Sequence, residues 1–194
     1  MSTTPAGRPR DPDVDRRVLR AAVARYAEQG WAGFSVDAVA RAAGVGKAAI
    51  YLRWPTKEAL LVAALQGGVP MVVDADTGTL RGDLIALAGQ VLALHLGVGG
   101  QAVRRMGVEY PTIPGIGDQW EGQRQAQISA ARAMVRRGID RGEVASDTSA
   151  TLLLDTLCGG VALHVTSTPE ARRAEIDVAD YAERIVTFLL RAVE

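Results

Sequence analysis

Apolar residues recur along the chain with the spacing of α-helices, and no segment of useful length alternates with the period of a β-strand. In the first such segment, one apolar stripe is formed by Val18, Leu19, Ala22, Val23 and Tyr26. Glycine and proline breaks then predict longer helices near residues 80–96, 117–141, 148–166 and 177–193, with a short helix around 101–109. We therefore expect an all-α protein of about nine helices.

The spacing of the helix breaks divides the chain into three parts. Residues 1–12 are polar and rich in Pro, Gly and Arg, which predicts a flexible basic arm. Residues 13–68 hold short helical segments with closely spaced breaks, which predicts a small head. Residues 69–194 begin with a linker over 69–79 and continue as a larger helical body.

The ends of the head helices follow from their capping residues. Asp11 can cap the first helix, and Gly30 ends it. Ser35 and Thr56 can cap the second and fourth helices. Pro55 marks the end of the third because proline disfavours helical backbone at the residue before it.

The second and third helices have the composition of a helix-turn-helix, in which two short helices cross closely around a tight turn. Gly44 tolerates the left-handed backbone of such a turn, and the apolar Val45 follows it. Close crossing is allowed by the small residues Ala40, Ala42 and Ala43. With Ile50 facing inward, the outward positions of the third helix are Lys47, Ala48, Ala49, Tyr51 and Arg53.

These outward side chains suit a helix lying in the DNA major groove. Lys47 and Arg53 can reach guanine edges or phosphates. The methyl groups of Ala48 and Ala49 can pack on thymine methyls, and the Tyr51 hydroxyl suits the DNA backbone. The third helix is therefore the expected base-reading element.

Phosphate contacts are expected at the starts of two other head helices. Ser35 and Thr56 precede helices whose free N–H groups suit phosphate oxygens, and Lys57 adds charge beside the second. In the arm, Arg8 and Arg10 can enter a narrow A·T-rich minor groove. A tail that only confers solubility is the open alternative for the arm.

The charge distribution agrees with a DNA-binding head. The chain is neutral overall, with 22 Lys/Arg and 22 Asp/Glu. Residues 1–66 hold ten Lys/Arg against six Asp/Glu, and residues 67–194 hold twelve against sixteen. Only the first part is thus expected to meet a polyanion.

Cysteine usage and hydropathy predict a cytoplasmic location. Cys158 is the single cysteine, which fits a reducing compartment, and the N-terminus lacks the apolar core of a signal peptide. Residues 84–103 carry no Asp, Glu, Lys or Arg. Because this run contains polar residues and clustered glycines, we expect a buried helix ending near Leu96 rather than a membrane span.

Over about residues 14–62, the head carries one set of residues in register: Gly30-Trp31, Ser35, Val39-Ala40, Ala43-Gly44-Val45, Ile50-Tyr51, Trp54 and Lys57-Glu58-Ala59-Leu60. This pattern resembles that of the TetR family of bacterial transcriptional regulators. One departure is Gly46, which stands where the family usually has Ser or Thr at the start of the recognition helix. This departure removes a hydroxyl cap.

The last two long helices carry more apolar residues than one buried face holds. Gly159 and Gly160 lie within the first of them, and each costs about 1 kcal/mol relative to Ala unless another backbone approaches closely. The resemblance implies a four-helix dimer interface here, with an ordinary monomer core as the alternative. The interface candidates are Leu153, Leu157, Gly160, Val161, His164, Tyr181, Ile185, Phe188 and Leu189.

The resemblance also implies a pocket for an apolar or amphipathic small-molecule effector among the middle helices of the body. The candidates combine apolar bulk with a few polar groups. Each of them also fits an ordinary core position. They are His95, Met106, Tyr110, Trp120, Met134, Cys158 and His164.

Catalysis and metal binding are not expected. The possible nucleophiles and bases of the body, His95, Asp155, Cys158 and His164, form no nucleophile, metal-binding or phosphate-binding motif. No cofactor is expected either. A helical protein-interaction module with degenerate DNA binding is the alternative function, because Gly46 and two alanines occupy the recognition helix.

The sequence and its resemblance together predict a ligand-responsive transcriptional regulator. We expect a homodimer that binds a near-palindromic operator in double-stranded DNA, most often as a repressor, and that a small-molecule effector releases. The fold expected is a helix-turn-helix head joined to a helical effector-binding and dimerisation body.

Overall fold

Helices in the computed structural model, which describes residues 12–192, begin and end close to the predicted capping and breaking residues. Ser35 Oγ accepts a hydrogen bond from Ala38 N at 3.2 Å, and Thr56 Oγ1 accepts one from Ala59 N at 3.0 Å. These contacts satisfy N–H groups that a helix start leaves without an internal partner. The predicted cap Asp11 lies outside the described residues.

The described part of the chain is all-α, as predicted. Four helices form the head: α1 (Pro12–Gly33), α2 (Val36–Ala43), α3 (Lys47–Tyr51) and α4 (Lys57–Gly68). Five form the body: α5 (Leu80–Leu96), α6 (Val98–Glu109), α7 (Gly117–Asp140), α8 (Ala150–Ser167) and α9 (Val178–Leu190). Short 3₁₀ turns at Tyr110–Thr112 and Glu170–Glu175 were not predicted.

Two apolar cores hold these helices together. The body core joins α5, α7, α8 and α9 around buried side chains such as Leu84, Met134 and Leu157. The head core holds Tyr26 and Ile50, and it also includes residues that follow the linker: Ala102, Met106, Ile113 and Ile116. Because α6 packs into the head core, apolar packing joins the head to the body. The predicted division at residue 69 stays a prediction.

Side chains from α6 contact α1 around a kink at Gly30. At Gly30 the backbone leaves the helical region (φ 65°, ψ −174°). Arg105 donates to the carbonyl oxygens of Ala27 at 2.7 Å and Glu28 at 3.1 Å, and Glu109 Oε2 accepts from Trp31 N at 2.8 Å. These contacts give hydrogen-bond partners to backbone groups next to the kink. We call this set of contacts the α1–α6 clasp.

The linker over residues 69–79 is tied to the body by side chains. The Gln90 amide makes two hydrogen bonds with Val73, accepting from its N–H at 2.7 Å and donating to its carbonyl at 3.1 Å. Arg137 forms a bidentate ion pair with Asp74 at 2.7 and 2.9 Å. The linker therefore follows a defined path between α4 and α5.

Asp83 is the buried charge in this region, with no solvent exposure. Its Oδ1 accepts from Thr77 N at 2.6 Å and Thr77 Oγ1 at 2.8 Å, and its Oδ2 lies 3.5 Å from Arg137 and 3.7 Å from Arg141. Burial opposes ionisation, but the Thr77 hydrogen bonds and the Arg137 charge outweigh it, so the pKa of Asp83 is lowered. Asp83 thus joins the linker to α5 and α7 as a carboxylate.

One described helix, α8, is long and apolar enough to cross a membrane if only length and composition are considered, and 28% of it is buried within the chain. Helices α5 and α6 would pass the same test together, but the chain bends by 88° between them. The predicted end of α5 at Leu96 is confirmed. Helix α8 therefore has apolar side chains on its exposed surface.

Replacing Asp83 with Ala is expected to lower the free energy of unfolding by about 3 kcal/mol, because it removes the buried acceptor of Thr77 and the buried partner of Arg137 and Arg141. The deficit should be complete near pH 7 and shrink as the pH falls below 3.8, the ordinary pKa of the group, since the folded-state pKa is lower. Denaturant titrations at several pH values measure this deficit. The exposed Asp76→Ala is the control, and an equal loss in both variants would contradict the role of Asp83.

Candidate nucleic-acid interface and ligand cavity

The turn between α2 and α3 has the geometry predicted for it. Gly44 adopts a left-handed backbone (φ 65°, ψ 40°), and Val45 N donates to Ala40 O at 3.0 Å. The helix α3 starts at Gly46 without a side-chain cap, as expected from a residue that lacks a hydroxyl group. Helices α2 and α3 therefore form a helix-turn-helix whose second helix is a short one.

The outer face of α3 is formed by exposed side chains, as predicted for part of the set. Ile50 is buried in the head core, whereas Lys47, Ala48 and Tyr51 are exposed and Ala49 is half-buried. Lys47 Nζ lies 2.9 Å from Asp37 Oδ2 and 5.9 Å from the centroid of the Tyr51 ring. The hydrogen bond that Lys47 donates to the Asp37 carboxylate raises the pKa of Lys47, so its ammonium stays charged.

Arg53 does not face outward. Its side chain is only 20% exposed, forms an ion pair with Asp15 of α1 and donates to Ala49 O at 3.0 Å. These contacts hold the guanidinium against the head, because both partners belong to the protein. A DNA contact by Arg53 stays a prediction, and it requires Arg53 to leave Asp15.

Lys57 is likewise held within the head. Its Nζ donates to Trp31 O at 3.2 Å and lies 3.7 Å from the centroid of the Trp31 ring, in cation–π geometry. The hydroxyl groups of Ser35 and Thr56 serve as helix caps. The first N–H groups of α2 and α4 are thus the parts of these two helix starts that suit phosphate oxygens.

Leu52 is an exposed residue that sequence reasoning missed. It follows α3 directly, and 83% of its side chain is exposed. Its position beside Tyr51 extends the outer face of α3 with an apolar group. Helical periodicity alone does not predict that this leucine is exposed. The predicted contacts Arg8 and Arg10 lie outside the described residues.

A cavity of about 530 Å³ lies in the body between α5, α7 and α8, with Val72 of the linker in its wall. Of the seven predicted pocket residues, only His95 and Cys158 line it. Polar lining residues that the sequence did not single out for a pocket are Arg124, Gln125, Gln127, Arg132, Thr151 and Asp155. The size is typical of a small-molecule site.

The other five predicted pocket residues lie elsewhere. Met106 is fully buried in the head core, and Tyr110 and Trp120 pack against that core. Met134 belongs to the body core. His164 stacks on Tyr181 with ring centroids 3.9 Å apart, on the side of α8 that faces α9. None of these five residues lines the cavity between α5, α7 and α8, and a role for them in effector binding stays a prediction.

The two predicted residues that do line the cavity are uncharged at neutral pH. Burial, with a smaller contribution from the charge of Arg104, lowers the pKa of His95, and Arg104 donates to its Nδ1 at 3.2 Å. Burial, with a smaller contribution from Asp155, raises the pKa of the Cys158 thiol to about 11. Within residues 12–192, no group of three His, Cys, Asp or Glu side chains could hold a metal ion.

Of the nine predicted dimer residues, four are buried and one, Phe188, is exposed; the half-buried ones are Gly160, His164, Tyr181 and Ile185. Leu153, Leu157, Val161 and Leu189 are buried in the body core of their own chain, so they are not available as a surface. An exposed stripe follows the other side of α8 at helical spacing, and Phe188 of α9 lies 73% exposed. The stripe consists of Leu152, Thr156, Gly159 and Leu163. We call these four residues with Phe188 the outer face of α8 and α9.

The two glycines of α8 have different surroundings. A Cβ added to Gly160 would lie 3.2 Å from Ile185 Cδ1, so packing between α8 and α9 of one chain explains Gly160. A Cβ added to the exposed Gly159 would meet nothing within 4 Å. No contact within the described chain therefore explains a glycine at position 159, where alanine would favour the helix by about 1 kcal/mol.

Comparison with known proteins gives consistent results. Residues 18–64 match "Bacterial regulatory proteins, tetR family", and residues 74–189 match "Tetracyclin repressor-like, C-terminal domain". An uncharacterized HTH-type transcriptional regulator of Mycobacterium tuberculosis is 33% identical over 163 residues, covering 79% of both chains. The HTH-type transcriptional regulator AqdR of Rhodococcus erythropolis is 34% identical over 154 residues, 77% of this chain and 73% of that one.

A solved structure shares the fold. The fatty acid degradation regulator FadR from Bacillus halodurans superposes with a TM-score of 0.70 at 18% identity, covering 92% of this chain and 98% of that one. At this identity the likeness concerns the fold alone. It extends the match from the head to the body.

Replacing Lys47 with Ala is expected to weaken DNA binding and to reduce the slope of log affinity against log salt by about 1, because one phosphate contact is lost. Arg53→Ala is expected mainly to lower the midpoint of thermal unfolding, since it removes the contacts with Asp15 and Ala49. Duplex titrations at several salt concentrations and thermal melts separate the two effects. A lost salt slope in Arg53→Ala with an unchanged melting temperature would contradict the structural role of Arg53.

Proposed function

Because the chain belongs to the TetR family of bacterial helix-turn-helix transcriptional regulators, we propose that it is a repressor that binds a near-palindromic operator as a homodimer. A small molecule that enters the body cavity releases it from DNA. The observation that carries the proposal is the outer face of α3, where Lys47, Ala48 and Tyr51 lie exposed above a buried Ile50. As a regulator of transcription, it acts where the bacterial DNA lies, in the cytoplasm.

Base reading is assigned to the exposed face of α3. Ala48 allows close approach to the groove floor, Tyr51 offers a hydroxyl, and Leu52 adds an apolar contact suited to thymine methyls. The N–H groups at the starts of α2 and α4 bind phosphates and fix the register. Lys47 leaves its exposed partner Asp37 for a phosphate or a guanine, since a surface ion pair contributes little.

Dimerisation is assigned to the outer face of α8 and α9. Leu152 and Leu163 are 69% and 65% exposed, and Phe188 of the neighbouring helix is exposed as well. An apolar patch of this kind on a regulator that must present two heads is explained by a second copy of the same face. Gly159 lies between the two leucines, where it lets the partner helix approach closely.

The two heads of such a dimer read successive turns of one DNA face, with their centres ~34–36 Å apart. Release follows when the effector favours a dimer with a different spacing, and a preference of a few kcal/mol is sufficient. Two residues that line the cavity also lie on, or form a hydrogen bond with, segments that lead to the head. Val72 lies in the linker to α4, and His95 is bonded to Arg104 of α6, which carries the α1–α6 clasp.

Selection of a random duplex library with the purified chain, at near-physiological salt, tests DNA reading. We expect enrichment of an inverted repeat, because two identical heads read two half-sites. Ala48→Glu is the matched control, since it places a carboxylate on the exposed face of α3 without displacing any internal contact. The same motif from Ala48→Glu, or no motif from the wild type, would contradict this interface.

Phe188→Glu is expected to convert the dimer to a monomer. Burial of a phenylalanine side chain contributes about 2 kcal/mol, so the dimer affinity should fall about 30-fold or more. Val108→Glu is the control, because Val108 is 79% exposed on α6, away from the outer face of α8 and α9. Sedimentation equilibrium measures both variants. An unchanged dimer in Phe188→Glu, or a monomer in Val108→Glu, would place the interface elsewhere.

A further inference from the structure

The apolar wall of the cavity is aliphatic. Among the described residues that line it, none is Phe, Tyr or Trp. A planar aromatic ligand would therefore find no ring on which to stack. An alkyl chain, in contrast, can bury its methylene groups against these aliphatic side chains. The wall is formed by Val72, Leu87, Val91, Leu94, Ile128, Ala131 and Leu154.

Two exposed side chains of opposite charge line the same cavity without forming an ion pair. Arg132 of α7 donates to Thr151 Oγ1 at 3.2 Å, and neither Arg132 nor Asp155 of α8 takes part in an ion pair within residues 12–192. Arg124, the other cationic lining residue, is paired with Glu121 at 2.9 Å. The cavity thus presents one unpaired guanidinium and one unpaired carboxylate.

This pair of charges discriminates between polar head groups. A carboxylate head satisfies Arg132 but meets Asp155, and an ammonium head satisfies Asp155 but meets Arg132. A head with a carbonyl acceptor and an N–H or O–H donor satisfies both residues and meets no like charge. Since His95 and Cys158 are uncharged at neutral pH, they do not change this balance.

We propose that the cavity takes an aliphatic ligand whose head is uncharged and both donates and accepts hydrogen bonds, as a primary alkyl amide does. Arg132 and Asp155 are the residues that determine this specificity. The proposal rests on the proposed function only in treating the cavity as the effector site.

Isothermal titration calorimetry of the full chain at pH 7 tests the ligand class with octanamide, octanoate, octylamine and benzamide. Octanamide is expected to bind at least about tenfold more tightly than the two charged probes, which corresponds to about 1.4 kcal/mol. Benzamide carries the same head on an aromatic ring and is expected to bind more weakly than octanamide. Tighter binding of octanoate, octylamine or benzamide would overturn the proposal, and so would the absence of octanamide binding.

Two variants assign the specificity to the named residues. Asp155→Asn should raise the affinity for octanoate about tenfold, and Arg132→Gln should do the same for octylamine, because each removes a like charge. The controls are Asp147→Asn and Arg136→Gln, which change the same charges at exposed positions outside the cavity lining. Equal shifts in variants and controls would overturn the assignment.

These results are independent of the DNA selection. An inverted repeat recovered together with failed octanamide binding rejects the ligand class and leaves the regulator intact. Octanamide binding that follows the expected order, with no enriched motif, supports the cavity assignment and rejects the proposed function. Release of the selected duplex by octanamide, absent in Arg132→Gln, supports both.

Discussion

The α1–α6 clasp determines how the head is attached to the body. The carbonyl groups of Ala27 and Glu28, beside the kink of α1 at Gly30, accept hydrogen bonds from Arg105 of α6. Glu109 occupies the space beside Gly30, where a Cβ would lie 2.5 Å from its Oε1. Burial, with the nearby Glu109 charge, raises the pKa of Tyr26, so its hydroxyl stays neutral beside Met106. Helices α1 and α6 are therefore joined by hydrogen bonds as well as by apolar packing.

Local chemistry was sufficient to predict the head. Gly44 and the caps Ser35 and Thr56 interact with residues close to them in the sequence, so their roles can be predicted from the adjacent residues. Local chemistry did not predict that the side chains of Arg53 and Lys57 are held against the head. Their partners Asp15 and Trp31 lie far along the sequence and become neighbours only after α1 packs on α3 and α4.

The body was predicted in outline and corrected in detail. Helical periodicity identifies apolar positions, but α8 is apolar on two sides, and the sequence does not say which side faces inward. Leu153 and Leu157 are buried in the core, whereas Leu152 and Leu163 are exposed. The cavity depends on contacts between α5, α7 and α8, which residue type alone does not give, and of the predicted pocket residues His95 and Cys158 line it.

The environment of Cys158 has a chemical consequence for the kind of signal this protein can receive. The thiolate is the form of cysteine that reacts with peroxides and disulfides, and burial keeps the Cys158 sulfur protonated. The single sulfhydryl group of the chain is thus a poor target for oxidants, although it lines the cavity.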